Sequence, residues 1–286
     1  MFDSLFSPRQ QREFAIAAQA QRIALEYFPT GRVEPEAIAQ REGIEFRYAS
    51  FPEEFDGILL HEAGRFFIVC NDRRAPRGSP RSRFTFAHEL GHYFLSDHRE
   101  VLASGKMPAH FSIAEFVSRL PVERESDLFA ANLLMPYPSF CREAAGSPPG
   151  LERVARLADI FGTSVTAAAF RALDADLFPA PAAVFRWDLH GKPGGRRMSW
   201  ETFHLNSDYR VMTQSAPEGS ATAAAIQEVA PGRNSAPSDC VGWFSNLLSA
   251  DHPRNLPLRE VVMSLGQFGY LTVVYRNASR GAPAPG

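Results

Sequence analysis

Apolar residues recur at helical spacing along several stretches of this chain and alternate along others. In residues 13–28, Phe14, Ala17, Ala18, Ala24, Leu25 and Phe28 predict an amphipathic helix, ended by Pro29-Thr30-Gly31. The polar residues 1–12 before it read as mobile. A short helix follows at 35–42. Two or three strands are expected between 44 and 70, with Glu62-Ala63-Gly64 as a hairpin turn. Ala87, Leu90, Gly91 and Phe94 then form an apolar stripe, so 84–95 reads as a buried helix. Phe129, Ala130, Leu133 and Leu134 share one face of a second helix, stopped by Pro136. Between the two helices, 97–120 reads as a long connection and a candidate lid, with His98 and His110 as surface histidines.

The linker Ala144-Ala145-Gly146-Ser147-Pro148-Pro149-Gly150 marks a boundary. Residues 151–175 read as a helix, a Gly162-Thr163 turn and a helix capped by Ser164, a helix-turn-helix-like segment. A DNA reader needs Arg, Lys, Asn or Gln on the exposed face of its second helix, and this one offers only Arg171. A structural hairpin is therefore favoured over direct DNA binding. After a Pro-rich linker, the strand 183–189, a turn at 191–195, a helix at 221–228, the aromatic stretch 240–248 and a closing strand 271–275 outline a mixed α/β domain over 183–277. His204 and Arg210 are candidates to line a pocket there, and the tail 278–286 reads as disordered.

Composition narrows the class. With 45% apolar and 22% charged residues and a formal charge of −2, the chain reads as globular, with no global pull toward nucleic acid or membranes. The absence of a long apolar run predicts no membrane span. Cys70, Cys141 and Cys240 are scattered and in no metal spacing, so reduced thiols in a cytoplasm are expected. Arg73, Arg74, Arg77, Arg81 and Arg83 cluster around the loop 72–80. They read either as a solvated loop or as a basic rim that steers a peptide.

The chemistry lies in His88-Glu89-Leu90-Gly91-His92. On a helix, residues four apart share a face, so His88 and His92 can ligate one divalent metal, and Glu89 can act as general base on a water there. A third protein ligand is required, with one position left open. On the helix over 121–134, Glu123 lies at the edge of the buried face and Asp127 follows at i+4, while Glu125 points away toward Asn132. Glu123 is the expected ligand and Asp127 the acceptor for a ligand imidazole N–H. Two nitrogens and one carboxylate suit Zn²⁺ and also Mn²⁺. Tyr93 and the histidines of 97–120 are candidate oxyanion stabilisers, with no choice among them.

The run Phe84-Thr85-Phe86-Ala87-His88-Glu89-Leu90-Gly91-His92, the helix Glu123–Pro136, the lead Arg81-Ser82-Arg83-Phe84 and the stretches Glu42–Ile44, Phe55–Leu60 and Arg65–Asn71 together resemble the ImmA/IrrE metallopeptidase-like family over about residues 15–140. Ser126-Asp127 replaces the pair Ala-Asn that is commoner there. The resemblance implies an α+β chain with a zincin-like metallopeptidase domain at 1–143. The long continuation is similar to the family's deinococcal radiation-response regulators, which implies a GAF-like sensor domain at 183–277. It further implies a metalloendopeptidase that cleaves one protein substrate, a helix-turn-helix repressor of the xenobiotic-response-element (XRE) type, under control of a small-molecule signal, to induce DNA-damage genes. The alternative is a non-proteolytic DNA-binding or ligand-sensing regulator with a structural metal.

Overall fold

The computed structural model describes residues 6–52, 55–105, 109–112, 120–190, 197–205, 210–211, 215–227, 233–239, 243–245 and 257–277. The chain divides into two compact units. One comprises Met1–Glu143 with Ala158–Ser164, the other Ala144–Leu157 with Val165–Gly286. Among the described residues, no helix is long and apolar enough to cross a membrane.

The first unit opens with helix α1, Pro8–Tyr27. It starts earlier than the apolar pattern predicts. Ser7 and Gln10 form a reciprocal capping box, and Pro8 occupies the first turn, where a missing N–H costs nothing. Helix α2, Pro35–Arg41, leads into strands β1, Glu45–Ala49, β2, Gly57–Glu62, and β3, Arg65–Asn71. The β2–β3 turn places Ala63 and Gly64 both at positive φ, the backbone that a two-residue hairpin requires. Helix α3, Pro80–Phe94, is capped by Ser79 and followed at once by α4, Ser96–Ala103. A short strand β4, Ala109–Ser112, comes before α5, Pro121–Leu134, and α6, Tyr137–Ala144. The stretch expected as one long connection thus contains both a helix and a strand.

The sheet order is β1-β3-β2-β4, with β1–β3 parallel and the other pairs antiparallel. One core joins the sheet to α1, α3 and α5 through Ile16, Ile23, Leu59, Ile68, Phe86, Leu90, Phe129 and Leu133. The arginines of the 72–83 stretch are largely engaged. Arg74 and Arg81 pair with the buried Asp56 at 2.9 and 2.8 Å. Arg77 lies over the Tyr48 ring, and the buried Arg83 binds Glu34 at 2.6 Å and the carbonyls of Val33 and Gly162.

The second unit takes most of α7, Leu151–Phe161, and all of α8, Val165–Asp174. An antiparallel sheet follows in the order β6-β5-β11-β10-β8: β5 Ala182–His190, β6 Arg197–Leu205, β8 Arg233–Asp239, β10 Pro257–Ser264 and β11 Tyr270–Arg276. A separate two-residue ladder pairs β7, Arg210–Val211, with β9, Phe244–Ser245. Helix α9, Ala221–Gln227, packs through Ala225 and Ile226 against Phe185, Trp187, Trp243 and Val262. A buried polar chain runs from Trp187 Nε1 to Thr272, Thr222 and Glu260, whose carboxylate accepts from both the N–H and the hydroxyl of Thr222. The turn 191–195 and the tail 278–286 lie outside the described residues, as do the side chains of His204 and Arg210.

Candidate metal centre

Helix α3 supplies two histidines and the intervening glutamate. His88 and His92, one helical turn apart, present their rings to α5, with centroids 4.8 Å apart. Two glycines permit the close packing around them. A Cβ on Gly91 would sit 3.1 Å from the Ser126 Cα and 3.3 Å from the Phe129 Cβ, so α3 and α5 touch here almost backbone to backbone. A Cβ on Gly57 of β2 would sit 2.6 Å from Thr85 Cγ2 and 2.7 Å from Glu89 Oε1, so the bare strand makes room for both side chains of α3.

Three donor atoms converge. His88 Nε2 lies 3.1 Å from His92 Nε2 and 3.3 Å from Glu123 Oε2, and His92 Nε2 lies 3.4 Å from Glu123 Oε1. All three residues are buried, as is Glu89. Ligands about 2.0–2.1 Å from a tetrahedral Zn²⁺ stand about 3.3 Å apart, so the triangle has the size that such an ion requires. The donor chemistry fits as well. Two imidazole nitrogens and a carboxylate oxygen that face one another are a donor set suited to a divalent cation.

The ring protons can be assigned from their partners. Asp127 Oδ1 lies 2.8 Å from His88 Nδ1, and a carboxylate only accepts, so Nδ1 donates and Nε2 is the nitrogen that faces the cluster and would give up its proton to a metal. Burial works against charge on His88. The hydrogen bonds to Asp127 and Glu123 outweigh it, with Glu89 adding its field, and hold the imidazole up at about 10. The pocket is strongly cation-seeking.

Beside His92 stands a residue that sequence reasoning placed on the surface. His98 is only 7% exposed. Its Nδ1 faces His92 Nδ1 at 3.2 Å and its Nε2 faces Glu125 Oε2 at 3.1 Å. On an unbroken helix, six residues would carry His98 about 240° around from His92. Leu95 is extended instead (ψ 109°), so α4 sets off in a new direction and brings the ring back. Burial lowers the pKa of His98 against the opposing pull of Asp97 and Glu125. Asp97, His98 and Glu125 also lie within metal-binding reach of one another. Arg12 already serves as their cation, at 2.8 Å from Asp97 and 2.6 Å from Glu125.

Two further placements correct the sequence reading. Glu125 does point away from the donor triangle, but toward His98 and Arg12 rather than Asn132. Asn132 pairs instead with Gln21 of α1 at 3.1 Å. The Tyr93 hydroxyl donates to Glu42 at 3.3 Å, and its ring packs edge-on against Phe66. It is engaged with the end of α2 and with the sheet. His110 lies on β4, its side chain outside the described residues.

No curated protein sequence matches this chain. A solved Mycobacterium tuberculosis transcriptional regulator is similar in fold, with a TM-score of 0.55 at 15% identity, over 92% of this chain and 76% of that one. Residues 39–173, which include His88, His92 and Glu123, match a peptidase family described as the IrrE N-terminal-like domain, and this match supports the ImmA/IrrE metallopeptidase-like family.

Proposed function

We propose that this chain is a cytoplasmic metalloendopeptidase that cleaves a helix-turn-helix repressor of the XRE type and thereby induces a DNA-damage response. The observation that carries the chemistry is the buried convergence of His88 and His92 of α3, the helix that also bears Glu89, with Glu123 of α5. Those three residues would hold Zn²⁺, and their N₂O donor set also accepts Mn²⁺. When bound, a divalent ion there supplies Lewis acidity toward a carbonyl and toward water. Glu89 accepts the proton of the attacking water and returns it to the leaving amine. Asp127 fixes the His88 ring through Nδ1. The repressor substrate, the radiation-response setting and the GAF-like sensor role of the C-terminal sheet rest on the resemblance to the longer ImmA/IrrE members alone; the family match over 39–173 supports the metallopeptidase part of the reading. The 151–175 segment is a structural hairpin in this reading.

A second reading, a non-proteolytic transcriptional regulator with a structural metal, is favoured by the regulator that shares the fold. One experiment separates them. The full chain, loaded with Zn²⁺, is incubated with candidate helix-turn-helix repressors beside Glu89→Gln. Cleavage is expected from the wild type, and a loss of about 100-fold or more from a variant that keeps its metal. Wild-type cleavage by metal-loaded Glu89→Gln removes Glu89 from the mechanism. Salt-dependent DNA binding without cleavage of any repressor establishes the second reading.

A further inference from the structure

We propose that His98 and Glu125 are positioning residues of the metal centre: a carboxylate–imidazole–imidazole chain, anchored on Arg12, that holds His92 in the tautomer whose Nε2 faces the donor triangle. The inference rests on the metal-site reading above and adds to it residues that neither the sequence pattern nor the family match assigns.

The argument is one of donors and acceptors. Glu125 Oε2 can only accept, so the His98 nitrogen 3.1 Å away, Nε2, carries a proton. Neutral His98 then has a lone pair on Nδ1. That lone pair faces His92 Nδ1 at 3.2 Å, and the contact is a hydrogen bond only if His92 donates. His92 Nε2 is thereby left as a lone pair, directed to the point where His88 Nε2 stands 3.1 Å and Glu123 Oε1 3.4 Å away. Each link forces the next.

Geometry explains why one histidine needs a relay and its neighbour does not. The two rings share a face of α3, but their Nδ1 atoms diverge. That of His88 meets Asp127 directly. Glu125 lies two positions away from Asp127 on the same helix, about 200° around its axis. No single face of α5 can serve both rings, and the His98 imidazole spans the gap. Arg12 of α1 grips Glu125 through Nη2 at 2.6 Å and Nε at 3.1 Å, and its hydrogen bond to Glu125 is the largest factor that raises its own pKa. The charge at the far end of the chain is thus held in place from a third helix.

A His98 that merely filled space would be replaceable by an apolar residue of similar size. The test uses the full-length protein and measures Zn²⁺ affinity by competition with a chromophoric chelator. The samples are wild type, His98→Leu, His98→Gln, Glu125→Gln and Glu123→Gln, each checked for folding by circular dichroism. Loss of a partner that orients a metal-bound histidine costs about 10- to 100-fold in affinity. His98→Leu is expected to show that loss. His98→Gln, whose amide can accept from His92 and donate to Glu125, should recover part of it, and Glu125→Gln should fall between. Nitrogen-15 chemical shifts of His92 in the metal-free wild type supply a readout independent of any variant's folding: Nδ1 should be protonated and Nε2 bare. Equal affinity in wild type and His98→Leu overturns the relay while Glu123-dependent binding keeps the metal centre standing. A His92 protonated on Nε2 overturns it too. Zinc binding that ignores Glu123→Gln refutes the metal-site reading itself, and the relay falls with it.

Discussion

Gly91→Ala is the sharpest test of how the donor triangle is built. The new Cβ would stand 3.1 Å from the Ser126 Cα and 3.3 Å from the Phe129 Cβ. Carbon atoms rest about 3.5–4.0 Å apart, so α3 and α5 must separate by about 0.5 Å. The obstacle is backbone, so no side-chain rotation relieves it. Overpacking of this kind costs about 1–3 kcal/mol, while replacing a mid-helix glycine by alanine returns about 0.8–1.0 kcal/mol. The net effect on stability is therefore small, between neutral and about 2 kcal/mol unfavourable. The effect on the site is not small. Glu123 and Asp127 flank Ser126 on the displaced helix, and a metal site tolerates ligand displacements of only about 0.2 Å. We expect a fall in Zn²⁺ affinity of at least about tenfold, or 1.4 kcal/mol, with the apo protein still folding cooperatively and its midpoint lowered by no more than a loss of about 2 kcal/mol accounts for. Chelator competition and thermal melts on the same preparations check both halves. Undiminished Zn²⁺ affinity in a well-folded Gly91→Ala protein would refute the claim that helix separation sets the ligand geometry.

Three other substitutions probe neighbouring features. Ser126 Oγ is buried with no hydrogen-bond partner, so Ser126→Ala should raise the unfolding midpoint, by about 1 kcal/mol of stability, and leave Zn²⁺ affinity intact; a drop in stability would show that the hydroxyl has an unseen role. Gly57→Ala drives a methyl into Glu89, so cleavage of a repressor should fall about tenfold or more while Zn²⁺ affinity changes little, and parallel losses in both would place Glu89 in metal binding instead. Burial opposes charge on Asp56, but Arg81 and Arg74 overcome it and hold the carboxyl below its ordinary value. Its stabilisation is therefore present at neutral pH and lost as pH falls through that depressed value, so Asp56→Asn should lower the melting point at pH 7 and the gap to wild type should close well below about pH 4.

What was legible in the chain depended on local repetition. The helices around His88 and Phe129 announce themselves through apolar residues at 3.6 spacing, and the hairpin through Ala63-Gly64, because each signal lies within a few residues. The start of α1 does not. Residues 8–12 are polar, and their order comes from the Ser7–Gln10 cap together with the reach of Arg12 to Asp97 and Glu125, far along the chain. Helix α4 was hidden for a related reason. Ser96–Ala103 buries only His98 and Leu102, too little to print an amphipathic stripe. The parallel pairing of β1 with β3 around the β2 hairpin is equally unwritten, since each strand shows the same residue classes whichever neighbour it takes. The arginines around 72–83 looked like surface charge because their acceptors, Asp56 and Glu34, come from separate segments.

The first turns of α5 show why a wheel diagram went partway. Glu123, Glu125 and Asp127 alternate at intervals of two, so they fall on opposing sides of the helix. Read as a choice of one ligand among three carboxylates, the pattern selects Glu123, with Asp127 in support. The structure assigns work to all three. Glu123 approaches both Nε2 atoms, Asp127 accepts the hydrogen bond of His88 Nδ1, and Glu125 reaches the Nδ1 side of His92 through the ring of His98. The wheel could place Glu125 on the far face but could not see that another helix carried an imidazole there. The same helix thus acts on a pair of histidines from two directions, and a close approach at Gly91 keeps it near enough to do so. A substitution anywhere along that line should be judged by what it does to ring orientation, because the side chains that hold the rings are more numerous than those that would touch the metal.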